Sequence, residues 1–232
     1  QQKASSLVRL RHLLGCIAAL AHTATNAVAT TSGAPRARTD TIIVHAISGP
    51  LQECPRGKLE FSGAPGDAKR WKTFFDRHPF LGIHYVVDRD GRVEASTPEH
   101  RKANHALGAS ESSIGIEMVH NGDGIEPFGP AQLGALIKLL RDIAKRHNIA
   151  VDNIKGHADV DSRTFKCGSQ THKGRMDPGA NFPWAEVRAA LQGQPAPVAA
   201  AAPIPTASAT ALPAAVPVLL EPPRLVERGL VR

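Results

Sequence analysis

Two short runs constrain the fold of this chain most: Thr41–Ile47 (TIIVHAI), apolar and largely β-branched, and Ser113–Val119 (SIGIEMV), in which Ile114, Ile116 and Met118 fall on one face. Runs of that length and composition read as strands, the first of them buried. A strand buried on both faces needs helices above and below it. The chain supplies them. Residues 67–77 place Trp71, Phe74 and Phe75 at helical spacing. Pro130 opens a helix in which Leu133, Leu136, Ile137, Leu140 and Ile143 form one apolar stripe. Asp90-Gly91, between His84–Val87 and Arg92–Ser96, is a hairpin signal. Ile154–Val160 reads as one more short strand, and a last helix follows Pro183 over Trp184–Leu191. The expected fold is α/β, a mixed central β-sheet flanked by helices.

Composition sets the limits of that domain. Eight of the 18 prolines fall in residues 195–223, among long alanine runs. Such a stretch buries too little surface to fold, and proline keeps it extended. Residues 194–232 are therefore expected to be a disordered Pro/Ala-rich tail, removable without loss of the domain. At the other end, residues 1–12 are basic and polar, 13–21 (LLGCIAALA) are apolar, and Ala27-Val28-Ala29 is a small-x-small site. That order matches a secretory signal peptide over 1–29. A linker over 30–36 and one domain over 37–193 complete the expected organisation. An ordinary N-terminal helix remains an alternative for 1–29. So does lipid anchoring through Cys16, since Leu13-Leu14-Gly15-Cys16 is lipobox-like, although most of the apolar stretch follows that cysteine. The expected location is outside the cytoplasm, in the periplasm. No run of 18 apolar residues exists, so no membrane-spanning helix is expected.

Cysteine usage agrees with export. Of three cysteines, Cys16 leaves with the signal, and Cys54 and Cys167 remain as an even pair. A disulfide between them is expected; the alternatives are two free thiols, or Cys167 as a metal ligand. The absence of any Cys-x-x-Cys pattern argues against a thiolate zinc ribbon. The net charge of +7 falls to +4 once Lys3, Arg9 and Arg11 leave with the signal. The remaining charge is diffuse and Tyr85 is the only tyrosine, so neither a basic track nor a stacking platform for nucleic acid is present. A mild positive balance suits an anionic polymer or a polar substrate.

The residues with chemistry to offer stand at strand ends and in one loop. His45 interrupts an apolar strand, which fits either a hydrogen-bonded core histidine or a ligand. His157 follows Lys155-Gly156 at the next expected strand and is equally ambiguous. Glu117 shares a strand face with Ser113, Gly115 and Val119. A carboxylate there needs a partner or a wet pocket; a wet edge strand is the alternative. Asp177 precedes Pro178-Gly179, which fits a turn or a rigid oxygen ligand. Two neutral imidazoles and one carboxylate would leave an open zinc position, the arrangement of a metallohydrolase.

Taken in order, the motifs TIIVHAISG, HYVVDRDGRVEAS, NHALGASESSIGIEMV, KGHADV and GRMDPGANFPW resemble those of the zinc-dependent N-acetylmuramoyl-L-alanine amidases. These enzymes share a fold with peptidoglycan recognition proteins and the small phage lysozyme-like amidases. The resemblance covers about residue 40 to 191, nearly the whole expected domain. It implies one zinc per domain, held by His45, His157 and Asp177. It implies Glu117 as the catalytic glutamate and Arg175 in the place of a basic catalytic residue, with Lys173 a second candidate. It puts His105 at the substrate groove and gives His84 a structural role. The implied reaction is hydrolysis of the amide between N-acetylmuramic acid and L-alanine in peptidoglycan or muropeptides, by a monomer that binds neither nucleic acid nor membrane through a spanning helix. A peptidoglycan-binding module without catalysis is the alternative.

Overall fold

The computed structural model describes residues 33–193. The expected signal peptide over 1–29 and the tail over 194–232 lie outside the described residues, as does the start of the 30–36 linker. Pro35 already forms an isolated bridge with Arg101, and the Arg36 guanidinium donates to the carbonyl of Ser113. The chain is thus fastened to the domain just before residue 37.

Among the described residues there are seven strands and four α-helices. They are β1 (Thr41–Ala46), α1 (Ala68–Arg77), β2 (Tyr85–Val87), β3 (Val93–Ala95), β4 (Ser113–Met118), α2 (Pro130–His147), β5 (Ile154–Gly156), α3 (His157–Val160), β6 (Thr164–Cys167), β7 (Gln170–Lys173) and α4 (Trp184–Leu191). Five strands form one sheet in the order β3-β2-β4-β1-β5. All its pairs are parallel except β2 with β3, the expected hairpin. The mixed α/β architecture is therefore as the local patterns predict.

Alternation along the strands divides the core into two layers. Ile42 and Val44 of β1, with Ile114, Ile116 and Met118 of β4, meet the apolar stripe of α2 and Val187 of α4. Leu136, Leu140 and Ile143 of α2 are fully buried there. Each such side chain contributes roughly 1.5–3 kcal/mol. On the opposite face Val86 meets Ala68 and Trp71 of α1. The Asp67 side chain caps α1 by accepting from the Arg70 N–H at 2.9 Å. Helix α1 contacts β2 and β3. The same face of β1 and β4 carries His45 and Glu117.

Three local features differ from the sequence expectation. The strand expected over Ile154–Val160 ends at Gly156, and His157–Val160 forms a helical turn. The reason is Asp159, whose carboxylate reaches back to accept the Gly156 N–H at 2.8 Å and closes the turn. Strand β4 lies between β2 and β1, so the edge-strand setting considered for Glu117 does not apply. The connector between His157 and Asp177 contains a second, two-stranded sheet, β6 with β7, where the sequence shows no strand pattern. Gly168, at φ 58°, turns this hairpin. A Cys54–Cys167 disulfide spans 113 residues of sequence and ties β6 to the loop after β1. Cys167 is thereby excluded as a metal ligand.

Candidate metal centre

His45 stands near the end of β1, His157 at the first position of α3, and Asp177 in the loop before α4. Nδ1 of His45 lies 3.0 Å from Nδ1 of His157 and 3.0 Å from Oδ2 of Asp177. The third side of this triangle, His157 Nδ1 to Asp177 Oδ2, is 3.1 Å. All three residues are buried. Ligands held at 2.0–2.1 Å in a tetrahedron stand about 3.3 Å apart, so the triangle is close to the size a zinc ion requires.

The electrostatics suit a cation. Burial, then the charge of His157, lowers His45 to a pKa of about 4, so its imidazole is neutral and keeps a lone pair. Burial pushes the Asp177 carboxyl up. Attraction and hydrogen bonding from His157 outweigh that and hold it well below the usual range. A neutral imidazole at His45 and an ionised carboxylate at Asp177 are protonation states that metal ligation demands.

Glu117 is paired in register with His45 on the neighbouring strand. Its Oε2 is buried and has no hydrogen-bond partner. Burial, reinforced by the charge of Asp177, raises its pKa well above the ordinary value, and Arg175 opposes the rise. A carboxylate oxygen without a protein donor, next to a candidate cation site, is free to take a proton from water. Arg175 is partly buried, and its charge acts on both Glu117 and His45. Lys173 is exposed and donates instead to the Ala158 carbonyl at 2.9 Å. Of the two basic candidates, Arg175 is the one whose field reaches the cluster.

His105 is partly buried, with Nδ1 2.9 Å from Nε2 of His45, on the side of the ring away from the ligand triangle. His84 is fully buried. Its Nδ1 accepts the Gly115 N–H at 2.9 Å, and its Nε2 lies 3.0 Å from the Arg101 carbonyl. That bracing of β4 agrees with a structural role. Two residues near the site went unread in the sequence. Asp161, gripped by Arg163, places Oδ2 3.9 Å from His157 Nε2. Ser113 lies behind His105. Both are short polar side chains whose relevance depends on spatial neighbours, so no local pattern marks them.

A family model described as N-acetylmuramoyl-L-alanine amidase matches residues 22–179. The N-acetylmuramoyl-L-alanine amidase AmiD of Escherichia coli (strain K12) is 34% identical over 129 residues, which is 46% of this chain and 43% of AmiD. The chain thus spans less than half the length of that relative. The endolysin of Enterobacteria phage T3 is 29% identical over 133 residues, 54% of this chain and 79% of the endolysin. Among solved structures, the N-acetylmuramoyl-L-alanine amidase LysC from Clostridium intestinale URNW superposes with a TM-score of 0.49 at 24% identity, covering 70% of this chain and 93% of LysC.

Proposed function

The chain belongs to the N-acetylmuramoyl-L-alanine amidase family, and on that premise we propose that it is a zinc-dependent hydrolase of peptidoglycan or muropeptides. The bond cleaved is the amide joining the lactyl group of N-acetylmuramic acid to L-alanine of the stem peptide. The observation that carries the proposal is the convergence of His45, His157 and Asp177, with Glu117 in register beside His45. A complete set of three donors gives no support to a binding module without catalysis.

His45, His157 and Asp177 would hold a zinc ion, which when bound would supply Lewis acidity for activating water and polarising a carbonyl. Glu117 takes the proton of the attacking water and returns it to the departing amine. Water adds to the carbonyl carbon, the carbon–nitrogen bond breaks, and the second proton of the water passes from the new carboxyl group to the amine, so the products are a lactyl carboxylate and the ammonium group of L-alanine. Arg175 faces the developing oxyanion with a fixed charge. Arginine keeps its proton at neutral pH, so proton transfer belongs to Glu117. No covalent nucleophile is required.

The Cys54–Cys167 disulfide favours an oxidising compartment. The proposal therefore places a monomeric domain outside the cytoplasm, in the periplasm, delivered by the segment over 1–29.

Mass spectrometry of purified muropeptides tests the reading. Incubation should release free stem peptide, a chelator should abolish release, and added zinc should restore it. Intact muropeptides after incubation with the zinc-loaded protein would reject it.

A further inference from the structure

The nitrogen that His45 turns towards the ligand triangle is selected by groups behind its ring. Nε2 of His45 lies 2.9 Å from Nδ1 of His105. Nε2 of His105 lies 3.2 Å from Oγ of Ser113 and 3.5 Å from the Ser113 carbonyl. Oγ of Ser113 is 2.7 Å from the carbonyl of Ala109.

The protons along this path can be assigned from its fixed end. A carbonyl only accepts, so the single hydroxyl proton of Ser113 points at Ala109. The Ser113 oxygen must then accept from His105, and the Ser113 carbonyl beside it also only accepts. His105 therefore carries its proton on Nε2, and its Nδ1 is a bare acceptor. That acceptor takes the proton on Nε2 of His45. Nδ1 of His45 is left as a lone pair, directed at His157 and Asp177.

We infer that His105 and Ser113 are positioning residues that lock the tautomer of His45, so that its Nδ1 is ready for a metal before one arrives. Strand β4 supplies much of the device. A Cβ on Gly115 would come within 2.6 Å of Cγ and 2.7 Å of Nδ1 of His105, so the missing side chain is the seat for that ring. Ser113, Gly115 and Glu117 alternate onto one face. One strand thus provides the end of the relay, the seat of its middle member and the candidate base. His157 has no matching relay, because its Nε2 lacks a hydrogen-bond partner.

The purpose of the lock rests on the reading of His45 as a metal ligand; its geometry does not. Long-range proton–nitrogen NMR of the metal-free, 15N-histidine-labelled protein at neutral pH reads the tautomer directly. Wild-type His45 should carry its proton on Nε2. His105→Leu and Ser113→Ala should move His45 towards the Nδ1–H form, and chelator competition should show zinc held about 10- to 100-fold more weakly. His105→Asn keeps an acceptor oxygen near the place of Nδ1 and should recover the tautomer and most of the affinity. A proton on Nδ1 of wild-type His45 would overturn the inference, and that measurement depends on no variant folding. So would a Ser113→Ala protein that leaves both tautomer and zinc affinity unchanged. The nitrogen shifts are read without metal or substrate. A protein with the predicted tautomer that nonetheless cleaves no muropeptide would overturn the proposed function and leave this inference standing.

Discussion

His45 and Glu117 face each other in register across the parallel pair β1 and β4. Paired residues in such a ladder present their side chains to the same face of the sheet. Strand spacing of about 4.8 Å then sets the separation of candidate ligand and candidate base. Backbone hydrogen bonds hold that separation, so neither residue depends on loop motion to meet the other.

Glu117→Gln tests the base. The change is nearly isosteric and removes the proton acceptor while leaving the three ligands in place. Activity should fall on the order of 100- to 10,000-fold, with zinc content and melting temperature close to wild type. Turnover within a few-fold of wild type would make Glu117 structural.

Asp177→Asn and His157→Ala test the ligand set. Each removes one donor from a triangle whose sides are 3.0–3.1 Å. Metal analysis after dialysis should show loss of most zinc from both variants. A full complement of zinc in either would mean the metal is held elsewhere.

Arg175 and Lys173 are separated by a pH profile. The charge of Arg175 lowers the pKa of Glu117. Removing that charge in Arg175→Met should raise the pKa of Glu117 and move the acid limb of kcat/KM to higher pH. Loss of oxyanion stabilisation should also lower kcat about 100- to 1,000-fold. Arg175→Lys should restore much of both. Lys173→Met should leave the acid limb where it is.

The Cys54–Cys167 disulfide can be removed without touching the three candidate ligands. It closes a loop across 113 residues of sequence. Replacing Cys54 and Cys167 by serine should lower stability by about 2–5 kcal/mol in urea denaturation. Equal midpoints for the variant and the oxidised parent would show that the bridge adds nothing.

Glu99 contributes to stability that is lost in acid. Burial raises its pKa, but hydrogen bonds from Arg146, Tyr85 and His147 outweigh that and bring it from 4.5 down to about 2. A depressed carboxylate stabilises the fold fully above its unfolded pKa, and the contribution fades as pH falls from about 4.5 towards 2. Solvent partly screens Arg146, so Glu99→Gln should destabilise by about 1–2 kcal/mol at pH 7. The gap between variant and parent should shrink as the pH is lowered towards the folded pKa. Denaturation curves across that range check it; a gap that stays constant would reject the linkage.

The sequence by itself determined the elements that depend on neighbours along the chain. A β-branched run marked β1, alternating apolar residues marked β4, the apolar stripe after Pro130 marked α2, and Asp90-Gly91 marked the β2–β3 hairpin, because side-chain periodicity and turn chemistry act over a few residues. It failed where a distant or returning contact overrides the local pattern. Asp159 closes a helical turn on Gly156 where a strand was expected, and the polar residues of β6 and β7 pair only with each other. The sequence left His45 balanced between core residue and ligand, and Glu117 between buried strand and wet edge, on their own residues alone. Only the tertiary structure puts Glu117 inside the sheet and His45 in a cluster that could hold a metal. Strand order buries Glu117 between β2 and β1. The same order, together with the loops, brings His45 within 3.0 Å of groups 112 and 132 residues away. Which nitrogen His45 offers them follows from His105 and Ser113 behind its ring, a relation between residues far apart in the chain that no local periodicity encodes.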